Sequence, residues 1–276
     1  LRLLEMFFFS ASTVGIKYQV SMKDVIQLPA QILSRDDGGT IAYRQIDGKP
    51  PCVIFLGGFM SDMSGTKAVE LEHHCRSVGQ AFLRFDYRGH GESSGDFQDA
   101  TISHWLSDAL AVIDACTCGP LILVGSSMGG WIMLLAALAR SERVAGLIGI
   151  AAAPDFTRDL MWDQFSKETK QILKSKGVYY EQSEYDGQPY PITMKLIIDG
   201  QKHLLLDGPI GLHCPMRLLH GMKDRSVPWT TASRLAERMQ ADDLQVLLVK
   251  DGDHRLSRDQ DIFCVKLMLD ELLKKF

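Results

Sequence analysis

The chain lacks most of what would mark a metal, nucleotide or nucleic-acid protein. Its six cysteines (Cys52, Cys75, Cys116, Cys118, Cys214 and Cys264) include no C-x-x-C pair and no metal-ligand spacing, which excludes a zinc ribbon and a thioredoxin-like redox motif. The lysine and spacing of a phosphate-binding P-loop are missing. Basic residues number 30 against 34 acidic ones, a net charge of −4, so no cationic footprint points to nucleic acid or an anionic membrane. The opening stretch LRLLEMFFFSASTVGIKY is apolar but interrupted by Glu5 and too short to span a bilayer, so no stable membrane insertion is expected. There is no internal repeat and no low-complexity segment.

What is present is ordinary globular composition, 46% hydrophobic and 23% charged, in 276 residues. That length suits one large α/β domain able to bury a core without disulfides, so the cysteines read as reduced, mostly buried thiols of a cytoplasmic protein. Residues 1–31 read as an N-terminal leader, possibly disordered, ahead of a domain at 32–276.

Short apolar runs alternate with longer helical patterns. CVIFL (Cys52 to Leu56), AFLRF (Ala81 to Phe85), LILV (Leu121 to Val124), VAGLIGIA (Val144 to Ala151), MRLLH (Met216 to His220) and LQVLLV (Leu244 to Val249) have the length and branching of strands. Between them lie helix-length segments at Ile102 to Cys116, Met128 to Ala139, Thr230 to Met239 and Asp259 to Lys275. The alternation predicts a mostly parallel sheet covered on both faces, with an antiparallel hairpin near Gly39 to Asp47. The rhythm breaks after Pro154, where about sixty residues pass before the next core strand, far more than a usual connection. This insertion, about 154–213, is expected to form a lid, with helices at Asp155 to Lys174 and Met194 to Leu206 and a D-G turn between aromatic runs.

The pattern G-x-S-x-G occurs at Gly125, Ser127 and Gly129, directly after the strand LILV and before a strong helix. That frame puts Ser127 at the apex of a sharp strand-to-helix turn, with Ser126 a small packed neighbour. A serine hydroxyl needs a base, a group that orients the base, and donors for an oxyanion. His254, in the loop after the last strand, is the expected base, and Asp224, four residues beyond His220, the expected orienting acid. Asp155 is the alternative acid and His220 the rival histidine, its side chain expected to pack at the strand end; Asp251 and Asp253 read as turn residues. The backbone N–H groups of Met128, at the start of the helix, and Phe59, after Gly57-Gly58, are the expected oxyanion donors. In RFDYRGHGESSG, Asp86 and Arg88 read as ties between loops. No metal or organic cofactor is called for.

On these residues the chain resembles the α/β-hydrolase superfamily. SGTKAVELEHHC, RFDY, LVGSSMGGW, CPMRLLHGMKD and VPW are similar to the subgroup containing abhydrolase-domain-containing protein ten. The resemblance implies a serine hydrolase of esters or thioesters, with members tied to acyl glucuronides and protein S-acyl groups. The expected activity is carboxylic ester hydrolysis on small-molecule substrates with short to medium acyl groups. An acyl-protein thioesterase or acyl-glucuronide esterase stands second, and a noncatalytic ligand-binding protein third. Phe156, Met161, Trp162, Phe165, Tyr179, Tyr180 and Tyr185 supply the insertion's large side chains, for an acyl pocket or for packing.

Overall fold

The computed structural model describes residues 29–182 and 189–276. Residues 1–28 of the expected leader, Tyr185 and the D-G turn at Asp186-Gly187 lie outside these.

An antiparallel hairpin, β1 (Gln31–Ser34) and β2 (Thr40–Ile46), opens the described chain. Then follow β3 (Lys49–Leu56), α1 (Thr66–Ser77), β4 (Gln80–Phe85), α2 (Ile102–Cys116), β5 (Leu121–Ser126), α3 (Met128–Ala139) and β6 (Val144–Ile150). The strands form an eight-stranded sheet in the order β1-β2-β4-β3-β5-β6-β9-β10, closed by β9 (Met216–Gly221), α6 (Thr230–Arg238), β10 (Leu244–Val249) and α7 (Asp259–Leu273). β2 runs antiparallel to β4, and every pairing from β4 through to β10 is parallel.

Burial on both faces explains the continuous apolar runs, since a parallel strand under two helical layers has no solvent side. Val53 to Leu56 and Leu121 to Val124 are fully packed. On one face α2 inserts Ile102, Trp105, Ala109 and Val112, at helical spacing, alongside α3 and α6; on the other, α1 and α7 pack Leu71, Cys75, Leu269 and Leu272. α3 is apolar all round and buried from Met128 to Ala137, as a central helix must be.

Topology then locates a crevice. The chain leaves β3 toward β4 on one side and leaves β5 toward β6 on the other, so the loops at the carboxyl ends of β3 and β5 diverge. One loop carries Gly57 to Phe59, and the other carries Ser127.

The segment between β6 and β9 holds a π-helical turn (Thr157–Trp162), α4 (Lys167–Lys176), an antiparallel pair β7 (Val178–Glu181) and β8 (Tyr190–Thr193), and α5 (Met194–Gly200). The single helix expected from Asp155 to Lys174 is therefore two pieces. Ser166 divides them because its hydroxyl accepts the Thr169 N–H at 3.1 Å and so starts a new helix. The helix expected through Leu206 ends as α5 and a 3₁₀ turn at Gln201–His203. Trp162 packs under the Lys170 and Lys174 ammonium groups, Phe165 against Tyr179, and Tyr180 is exposed.

The cysteines are all free, but only Cys52 and Cys75 are buried; Cys116, Cys214 and Cys264 are half-buried and Cys118 is exposed, which corrects the expectation of mostly buried thiols. Cys118 lies in the turn between α2 and β5, where no core covers it.

Candidate active site

Ser127 sits between β5 and α3 with φ 53° and ψ −119°, a conformation that L-residues rarely adopt and that costs about 1–3 kcal/mol. Surrounding bonds hold it there. Its N–H donates to Ile150 O at 2.9 Å, and its carbonyl accepts from Gly130 N at 2.9 Å and Ala153 N at 3.0 Å. The flanking glycines are required by contact rather than by turn geometry. A Cβ on Gly129 would stand 2.1 Å from Leu56 O, and one on Gly125 would stand 2.4 Å from Gly129 O. The start of α3 is thereby pressed against the end of β3. Ser126 is buried beside the turn.

His254 arrives from the loop between β10 and α7. Its Nε2 lies 3.0 Å from Ser127 Oγ, and its Nδ1 lies 2.7 Å from Asp224 Oδ2. A carboxylate only accepts, so Nδ1 carries the proton and Nε2 presents its lone pair to the serine hydroxyl.

Asp224 is held from three sides. Its Oδ1 accepts the backbone N–H groups of Ser226 at 2.9 Å and Val227 at 2.8 Å, while His220 Nε2 stands 3.2 Å from Oδ2. That same His220 nitrogen is 3.0 Å from Val227 O, another pure acceptor, so Nε2 of His220 is the protonated one. Burial pushes the Asp224 carboxyl up, but the bonds from His220 and His254, the His254 charge and the Val227 amide outweigh it and bring the group to about 2. Asp224 thus stays ionised at any working pH. His220 is not a competing base: it is fully buried at the end of β9 and bonded to the acid. The sequence placed it as packing; the i, i+4 spacing to Asp224 was the only available sign of its contact.

Asp155, the alternative acid, is engaged elsewhere. It is fully buried, and its carboxylate accepts from Leu205 N at 2.9 Å and Leu206 N at 2.9 Å, pinning the far end of the β6–β9 segment to the strand end.

The remaining expected residues fall where the loops put them. A Cβ on Gly58 would lie 3.5 Å from Ser127 Cβ, which sets the Gly57-Gly58-Phe59 loop directly beside the serine. Neither the Phe59 nor the Met128 backbone N–H donates within the chain among the described residues. The Phe59 ring anchors its loop, meeting Phe97, Trp105, Phe156 and Tyr190 edge to face with centroids 4.8 to 5.9 Å away. Asp86 accepts from Met63 N at 2.6 Å and Glu92 N at 2.8 Å, and Arg88 pairs with Asp108 and Asp37, so both tie loops as expected. Asp251 pairs with Arg258, and Asp253 accepts from Leu256 N at 3.1 Å.

Ser127, Met128, Phe59 and His254 open onto one cleft of about 760 Å³. Phe156, Leu160, Met161 and Tyr190 from the β6–β9 segment, with Val227, give it an apolar part of its lining. Asp62, Lys67, Arg225 and Arg255 add charged groups to its lining. The sequence named Phe156 and Met161; Leu160 and Tyr190 carried no signal of their own.

The model of the family described as Serine aminopeptidase, S33, matches residues 51–199. The chain is 43% identical over 244 residues, 88% of its own length and 79% of the other's, to a Bos taurus protein named palmitoyl-protein thioesterase ABHD10, mitochondrial, and equally to its Homo sapiens counterpart. The solved alpha/beta hydrolase domain-containing protein 10 from mouse superposes with a TM-score of 0.84 at 41% identity, covering 90% of this chain and 99% of that one. The mitochondrial address of these relatives does not fit a plain cytoplasmic expectation. Among the described residues no helix is long and apolar enough to cross a membrane.

Proposed function

We propose that this chain, which belongs to the α/β-hydrolase family, is a serine hydrolase that cleaves acyl thioesters through an acyl-enzyme on Ser127 and accepts carboxylic esters at the same acyl site. The observation that carries it is the line from Ser127 Oγ to His254 Nε2 at 3.0 Å and from His254 Nδ1 to Asp224 at 2.7 Å.

In this reading His254 Nε2 takes the Ser127 proton as Oγ bonds to the acyl carbon, and Asp224 stabilises the imidazolium by charge and by holding its tautomer. The Met128 and Phe59 N–H groups donate to the oxyanion, aided by the positive end of α3. The carbon–sulfur or carbon–oxygen bond then breaks, and His254 returns its proton to the leaving group. Water, deprotonated by the same imidazole, attacks the acyl-serine, the acyl carbon–Oγ bond breaks, and His254 returns that proton to Ser127 Oγ as the carboxylic acid is released. Apolar residues of the β6–β9 segment cover the acyl chain as a lid.

The relatives' printed name favours thioesters over the carboxylic esters that the sequence placed first. It also favours acyl groups longer than short to medium, and the cleft of about 760 Å³ lies inside the range of about 300–1,000 Å³ that holds drug-sized ligands. A mitochondrial place of action follows the same name. The test is kcat/KM for matched S- and O-esters across acyl lengths. Thioesters are expected to turn over faster, with both activities falling together in Ser127→Ala; sustained turnover in that variant would remove the mechanism.

A further inference from the structure

We propose that Lys67 is a positioning residue for the base: it ties the loop bearing His254 to the helix that follows the loop bearing Phe59. The proposal rests on the hydrolase reading above. Lys67 is the second residue of α1, which begins where the loop after β3 ends. Its ammonium reaches across to the other end of the sequence, donating to Arg255 O at 2.5 Å and Ser257 Oγ at 3.3 Å. Ser257 Oγ itself donates to Arg255 O at 3.0 Å. The three groups close a triangle: two of the three ammonium protons go to the carbonyl and the hydroxyl, and the hydroxyl proton goes to the carbonyl.

The triangle brackets a strained residue. Leu256, between its two corners and fully buried, has φ 44°, a conformation a branched side chain holds only when its surroundings enforce it. On the other side of His254, Gly252 O accepts the Lys223 N–H at 2.8 Å. His254 is thus held on its N-terminal side by the turn that carries Asp224 and on its C-terminal side by Lys67. No described carboxylate lies within salt-bridge distance of Lys67, so its ammonium serves the loop rather than an ion pair. Burial lowers its pKa to about 8; Asp253 and Asp261 oppose that and Arg255 adds to it. Above that pH the charge-assisted bonds weaken to those of a neutral amine.

A loosened imidazole should cost kcat and leave acyl binding in place. In Lys67→Met, kcat is expected to fall about 10- to 100-fold, the scale of a displacement near 1 Å, with KM within about threefold. The pH profile separates positioning from general packing. Wild-type kcat/KM for a p-nitrophenyl octanoate should decline above about pH 8, and the decline should vanish in Lys67→Met and in Lys67→Arg, whose guanidinium keeps its proton. Should Lys67→Met fail to fold, the arginine variant and the wild-type profile decide alone. A wild-type profile flat from about pH 8 to 10, or an arginine variant declining where the wild type does, would overturn the proposal. Inactive Ser127→Ala with unaltered Lys67 variants would refute the tether only; active Ser127→Ala would refute the hydrolase reading beneath it.

Discussion

Ser127 and His254 stand 127 positions apart in the chain and 3.0 Å apart in space, while Ser126, one position before Ser127, is buried. Ser127→Ala is therefore expected to reduce kcat by three powers of ten or more, and Ser126→Ala to leave it within a few-fold; turnover of one thioester by both variants checks this. The two aspartates separate as cleanly. Asp224→Asn replaces an acceptor with an amide and mis-sets the imidazole proton, so kcat should drop by up to about 10⁴. Asp155→Asn breaks bonds to Leu205 and Leu206 instead. It should lower the denaturation midpoint with little change in kcat of the folded enzyme. Ser127, Asp224 and His254 were legible in the sequence because each follows a recognisable strand and the order of the three is fixed. Lys67 was not, because its partners lie 188 and 190 positions away and nothing local to SGTK announces them. His220 is buried at its strand end as expected, but its contact with Asp224 was not legible, because a strand end does not reveal which way a buried imidazole points.

Among the elements, the contact of α3 with β3 sets the site's geometry. A methyl group at Gly129 would stand 2.1 Å from Leu56 O, backbone on backbone, so the helix must move away from the loop that carries Phe59. Gly129→Ala should destabilise the protein by at least the 1–3 kcal/mol typical of overpacking and also depress kcat, read from the denaturant midpoint and from turnover of the folded fraction. The helices at Ile102–Cys116 and Met128–Ala139 matched their sequence expectation because apolar spacing and flanking turns agreed there. The segment after Pro154 was harder. Its apolar residues face the cleft as well as the core, so periodicity did not show the break at Ser166.

For the whole molecule, the ionised and buried Asp224 links the proposed catalysis to stability. Its carboxyl sits at about 2 in the folded chain, against an ordinary value of 3.8, so the folded state binds this proton less readily than the unfolded one. The resulting stabilisation is present above the unfolded value and is lost as pH falls through 3.8 toward about 2. It amounts to roughly 2 kcal/mol, and the stability gap between wild type and Asp224→Asn should narrow by about that much across the window in urea titrations. The sheet, its two helical layers and the four loops at its carboxyl edge that carry Phe59, Ser127, Asp224 and His254 exist, in this reading, to activate one hydroxyl. The most direct measurement is peptide mapping after a fluorophosphonate reacts with the folded wild-type chain. A single adduct on Ser127, absent from His254→Ala under the same exposure, is the expected result; no adduct, or an adduct on Ser126, would contradict it.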